Sequence, residues 1–262
     1  MCGRFATGLI AGHLDTASWL DIERDAPAPD WAEGWGLSAD DPSAARLDVM
    51  PAGAWPAPSW NVAPTQTVGI VVGQTDTDMG RGRGSAEPRK VVAARWGLVP
   101  GWWRKPLTEL RVSTFNARSE EAAGKPIFRD AWRHGHCLVP ALGYFEWTGR
   151  TGAKTPWFVA AETNRPGLVF AGLWAEAAIA GEKITSFTIL TTAANEATSH
   201  LHPRAPVALR EADWGAWLSG ALTGVPMSPL EARRTRVVEV ARDVGQVRND
   251  RPDLIEAVGL GL

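Results

Sequence analysis

The chain has 262 residues, 27 basic and 29 acidic, with 45% hydrophobic residues, an ordinary composition for a globular protein with a sizeable core. A net charge of −2 does not mark a nucleic-acid binder. No run of about 18 apolar residues and no basic, then apolar, leader is present, so no membrane span or signal peptide is expected. Two cysteines, Cys2 and Cys137, exclude a disulfide framework and fit a reducing, cytoplasmic compartment.

Charge is unevenly placed. Residues 15–48 hold nine acids against Arg24 and Arg46, which leaves 25 basic and 20 acidic residues for the remaining body. Fourteen tryptophans against one tyrosine supply aromatic surface for a core or for stacking.

In chain order, LIAGHLDTASWL (9–20) has helical apolar spacing. Residues 26–59, rich in Pro, Ala and Asp, read as an inserted excursion. TVGIVVG (67–73) reads as a buried strand, DTDMGRGRGSAEP (76–88) as a flexible Gly/Arg loop, and KVVAARWGLVP (90–100) as a strand ending at Pro100. KPIFRDAWRHG (125–135) predicts a short helix stopped by glycine. HCLVPALGYFEW (136–147), TPWFVAAE (155–162), GLVFAGLW (167–174) and KITSFTILTT (183–192) are strand-like. READWGAWLSG (210–220) is an amphipathic helix, SPLEARR (228–234) is expected to open another, and TRVVEVA (235–241) is a late strand. Strands dominate without βαβ alternation. The expected fold is α+β: a single domain over 1–262 with a curled, largely antiparallel, barrel-like sheet flanked by helices.

Cys2 directly follows Met1, and removal of Met1 would give it a free α-amine beside its thiol. An α-amino group titrates at about 7.7–8.0, so part of it is unprotonated at neutral pH. A 1,2-aminothiol can condense with an aldehyde to an imine and close a thiazolidine, which an internal cysteine cannot do. It can also act as a thiol nucleophile. Gly3 permits close approach, Arg4 offers a fork for phosphate or carboxylate, and Phe5 can anchor the segment.

Read in order, MCGRF (1–5), WNVAPTQ (60–66), RWGLVPGWW (95–103), TFNARSE (114–120), GYFEW (143–147), AGLW (171–174), LTTAAN (190–195) and HPRAP (202–206) resemble the SRAP family, the SOS-response-associated peptidase proteins. The resemblance spans nearly the whole chain outside 26–59 and 76–88. It implies a protein that senses abasic sites in single-stranded DNA and forms a covalent thiazolidine crosslink through Cys2. It also implies a monomer without cofactor or metal that joins the nucleoid when bound to damaged DNA, with possible lyase and self-processing peptidase activity. By resemblance, Asn116 holds Cys2, while Glu146 and His202 are the catalytic acid–base pair. Between Phe145 and Trp147, Glu146 is expected to be desolvated, which suits proton transfer. The resemblance assigns DNA contacts to Arg4, Arg118 and Arg204 on phosphates, to Trp102 and Trp103 as stacking platforms, and to Asn61, Pro64 and Thr191 around the lesion.

Two other readings stand beside this one. Cys2, His202 and Asn116 or Glu146 also suit a cysteine hydrolase, and the arginines and tryptophans alone would suit a non-covalent single-strand binder. HGHC (134–137) and HLH (200–202) lack paired metal-ligand spacing, so no metal is expected.

Overall fold

The computed structural model describes residues 3–7, 59–73, 89–162, 168–222 and 225–259. Cys2, the expected helix at 9–20, the excursion up to residue 58 and the loop 76–88 lie outside the described residues. The strands are β1 (Phe5–Ala6), β2 (Thr67–Gly73), β3 (Arg89–Trp96), β4 (Asn116–Arg118), β5 (His136–Ala141), β6 (Gly143–Thr148), β7 (Thr155–Ala161), β8 (Leu168–Ile179), β9 (Glu182–Ala193), β10 (Arg204–Pro206) and β11 (Thr235–Glu239). Three α-helices accompany them among the described residues: α1 (Ser119–Ala122), α2 (Pro126–His134) and α3 (Trp214–Leu218).

Five strands close on themselves in the order β9-β3-β2-β5-β8, with β8 pairing back to β9. Four of the seams are antiparallel; β3 and β9 run parallel, with Arg95 opposite Ser186 and Trp96 opposite Phe187. β4 and β10 extend this sheet from β9. A second, antiparallel sheet has the order β1-β6-β7-β11. The expected barrel-like mixture of strands and few helices is what the chain forms.

Side-chain periodicity explains the layers. Along β2 burial alternates, with Val68, Ile70 and Val72 turned inward. Those residues join Trp96, Cys137, Val139, Phe170, Phe187 and Ile189 in one apolar cluster that also takes Phe5, Tyr144 and Val159 from the second sheet. The opposite side of the barrel packs on the helices through Leu138, Leu173 and Leu190 against Phe128, Trp214 and Trp217. All six residues of β5 are buried, as expected of a strand covered on both sides.

Three expectations are corrected. The run 136–147 is two strands in two sheets, divided at Leu142. At the break a Cβ on Gly143 would run into the Val159 carbonyl and the Phe158 ring, so glycine lets β6 lie close against β7. The helix at 210–220 shrinks to α3 behind a 3-10 turn, Glu211–Asp213, with Trp214 and Trp217 buried. Segment 228–234 forms only a 3-10 turn at Ala232–Arg234. Its carbonyls are taken from outside: Ser228 accepts from the Ala208 N–H and Leu230 from the Asn195 amide, which leaves no helical ladder to build.

Candidate functional site

Gly3–Thr7 is held as an inner strap. The Phe5 N–H donates to Val62 O at 3.2 Å, and the Val62 N–H returns a bond to Phe5 O at 2.8 Å. On its other edge the strap pairs with β6, Phe5 opposite Tyr144, and Arg4 O accepts from the Phe145 N–H at 2.9 Å. Continued by two residues, this register sets Gly3 across from Glu146. The Phe5 ring meets Trp96 edge-on at 4.8 Å, which fixes the strap in the core.

Glu146 is 6% exposed, paired in register with Trp157 across β7. Burial disfavours its charged form and pushes its carboxyl up to about 7. A carboxyl near that value is divided between acid and base at neutral pH.

A second group is built along β9. Parallel pairing sets Asn116 beside Ile189 and Arg118 beside Thr191. Asn116 is 8% exposed; Thr191 is fully buried, its hydroxyl donating to Ala117 O at 3.3 Å. From the far edge, β10 places Arg204 opposite Ala193. Half-buried His202 precedes it, and its Nδ1 accepts the Arg204 N–H at 2.9 Å. The same Nδ1 lies 3.2 Å from Arg204 O, and burial shifts the imidazole below its ordinary value. The Arg204 guanidinium donates to Glu120 Oε1 at 2.9 Å and Oε2 at 2.7 Å, and to Thr191 O at 2.5 Å. Exposed Arg118 pairs with Glu121 at 3.0 Å.

Trp96 joins the two groups. Its ring touches Phe5 on one side and Phe115, the neighbour of Asn116, at 5.6 Å on the other, and its Nε1 donates to Phe115 O. The strap beside Glu146 and the segment carrying Asn116 are thus packed on one tryptophan.

A family model described as SOS response associated peptidase (SRAP) matches residues 1–247. The chain belongs to this family. The abasic site processing protein YedK of Escherichia coli is 28% identical over 98% of this chain and 100% of its own. The abasic site processing protein HMCES of Gallus gallus is 26% identical over 100% of this chain and 79% of its own. A solved protein of Bordetella bronchiseptica superposes with a TM-score of 0.60 at 27% identity over 72% of this chain and 92% of its own. One from Bacteroides thetaiotaomicron gives 0.63 at 24% identity over 76% and 85%, a likeness of fold.

Within this SRAP chain the remaining expected residues fall in distinct places. Arg4 is half-buried, donating to Asn61 Oδ1 at 2.6 Å and Val244 O at 2.9 Å, with Trp147 5.7 Å away under its charge. Asn61 is 1% exposed, and its amide also binds the carbonyls of Val244, Gln246 and Asn249, so it clamps the C-terminal segment onto the strap. Pro64 opens an exposed turn whose next residue, Thr65, has φ 78°. Trp102 and Trp103 sit on the loop after β3 with ring centroids 6.0 Å apart; Trp102 is 50% exposed. Trp102 lines a groove of about 380 Å³ with Ile127 and Trp174, on the α2 side of the barrel.

Sequence reasoning missed Glu120 and Glu121, the carboxylates that hold Arg204 and Arg118. The spacing Arg118–Glu121–Lys125 was the available signal, since residues three and four apart on a helix are neighbours.

Proposed function

We propose that this protein captures abasic sites in single-stranded DNA as a covalent thiazolidine crosslink through Cys2, after removal of Met1. One observation carries the reading: a buried carboxyl pushed up to about 7, Glu146, stands on the strand that pairs with Phe5–Ala6, one residue past the Phe145 N–H that donates to Arg4 O, so the register continued toward Cys2 runs at it. The names of the relatives, abasic site processing proteins, agree with it.

The open-chain sugar of an abasic site carries an aldehyde. The unprotonated α-amine of Cys2 adds to it, and the amine's proton moves to the new hydroxyl. Protonated Glu146 then gives its proton to that hydroxyl, which leaves as water, and an iminium remains. Glu146, now a carboxylate, takes the thiol proton as sulfur closes on the iminium carbon. The ring is complete, one water has been lost, and Glu146 is returned to its acid form. His202 assists sugar ring opening by moving a proton, and Asn116 orients the aminothiol without adding charge. Arg118 and Arg204 meet phosphates; Arg4 and Asn61, expected on the strand, instead brace the strap against the C-terminal segment; Thr191 and Pro64 lie around the lesion; and Trp102 and Trp103 stack on bases, each stack worth about 1–3 kcal/mol.

The test is incubation with a single-stranded oligonucleotide bearing one abasic site, followed by a denaturing gel. Wild-type protein is expected to give a covalent shift. Cys2→Ala, and protein whose Met1 is retained, are expected to give none. A shift that survives in either one sinks the thiazolidine reading. A thiol hydrolase would instead keep its activity with Met1 in place.

A further inference from the structure

The two arginines beside Asn116 and His202 are not free cations. Both are held by the same short helix, α1, which begins directly after Arg118. Arg204 presents two N–H groups to the two oxygens of Glu120, at 2.9 and 2.7 Å. A guanidinium meets a phosphate with the same planar pair of donors, so Glu120 occupies the geometry a phosphate would need. The Arg204 bond is also the main reason the Glu120 carboxyl titrates below its ordinary value. Glu120 itself is half exposed, whereas the Arg204 side chain is only 17% exposed, so the carboxylate is the partner able to swing away. Glu121 differs. Its charge is shared between Arg118 at 3.0 Å and Lys125 at 2.5 Å, and the lysine stays when Arg118 turns to a phosphate.

Resting on the DNA-capture reading above, we infer that Glu120 is an internal competitor for the phosphate-binding fork of Arg204, a specificity-determining residue that weakens binding to intact strands. Each phosphate seated on Arg204 first displaces a carboxylate, and the freed carboxylate then repels the strand. Grip on undamaged DNA stays weak, and retention comes from bond formation at a lesion. This is discrimination by penalising the wrong partner.

The experiment is equilibrium binding of an undamaged single-stranded oligonucleotide, read by fluorescence anisotropy across a salt series. Glu120→Gln keeps the shape of the side chain and removes its charge. It is expected to bind about 5–10-fold tighter, with a log affinity against log salt slope steeper by about 0.7, the value of one more neutralised phosphate on a single strand. Glu121→Gln should tighten binding less, because Lys125 compensates it already. Glu182→Gln, at the start of β9 and far along that strand from Ala193, the partner of Arg204, should change nothing. In an Arg204→Gln background, Glu120→Gln should lose most of its effect. A second measurement uses the unaltered chain: saturation with the oligonucleotide should raise the Glu120 carboxyl toward its ordinary titration range, read by carbon NMR. If Glu120→Gln binds no tighter, or if the wild-type Glu120 signal does not move, the pair is a permanent brace and the inference is overturned. Failure of lesion capture on the gel, with these shifts present, would instead sink the capture reading and leave the competitor standing.

Discussion

Glu146 is placed by its neighbours at a cost to the fold. Its carboxyl titrates at about 7 in the folded chain because burial penalises charge. Unfolded, it would titrate near 4.5. The folded state therefore holds the proton more tightly. The stability this group confers is present below about pH 4.5 and is lost as pH rises through 7, a difference of about 3 kcal/mol. Glu146→Gln, neutral at every pH, should be more stable than wild type at pH 8 by an amount of that order, read from urea denaturation. The same substitution should slow crosslinking by about 100-fold, the usual contribution of a general acid–base, while leaving affinity for the strand unchanged. A variant that crosslinks at the wild-type rate would remove Glu146 from the mechanism. The flanking Phe145 and Trp147 made this burial legible in the sequence. What the sequence could not supply is the register that sets Gly3 opposite, because β1 and β6 lie far apart in the chain and meet only through the fold.

The element that shows local chemistry most plainly is the hairpin between β8 and β9. Its two turn residues, Ala180 and Gly181, both have positive φ, 52° and 86°. That is the backbone of a turn that favours Asn-Gly, because its twist matches the strands. Alanine in the left-handed region is strained by about 1–2 kcal/mol, and asparagine tolerates it better. Ala180 is exposed, so Ala180→Asn should raise stability by roughly 0.5–1 kcal/mol without touching the core, visible as a higher midpoint in thermal melting. At this scale much was legible. β2, β7 and α2 follow their apolar patterns closely. The failures share a cause: tertiary partners outbid local spacing. In 136–147 a continuous apolar run hid a change of sheet at Leu142, since both halves are buried. In 228–234 helix-forming residues had their carbonyls claimed by Ala208 and Asn195.

Over the whole molecule, a second buried titrating group opposes Glu146. His136 is 5% exposed, its ring 4.5 Å from that of Trp217, and burial lowers it to about 4. A depressed histidine adds stability that is present above about pH 6.5 and lost as pH falls toward 4, again about 3 kcal/mol. Between about pH 4.5 and 6.5 the two groups act with opposite slopes and cancel. Wild-type stability should therefore be nearly level across that window. Glu146→Gln removes one slope and should leave a chain whose stability climbs by about 2 kcal/mol from pH 5 to 7, measured by urea titration at each pH. A flat profile in that variant would mean that His136 is reached by water.

The closed ring of strands also governs how the chain is born. The barrel's parallel seam joins β3 to β9, whose paired residues lie about ninety positions apart. During synthesis β2, β3, β5 and β8 emerge first, and until β9 leaves the ribosome the edges of β3 and β8 have no neighbour. Bare edges of this kind recruit other chains. A nascent polypeptide stalled before residue 182 carries two open strand edges, and one late strand zips both sides shut.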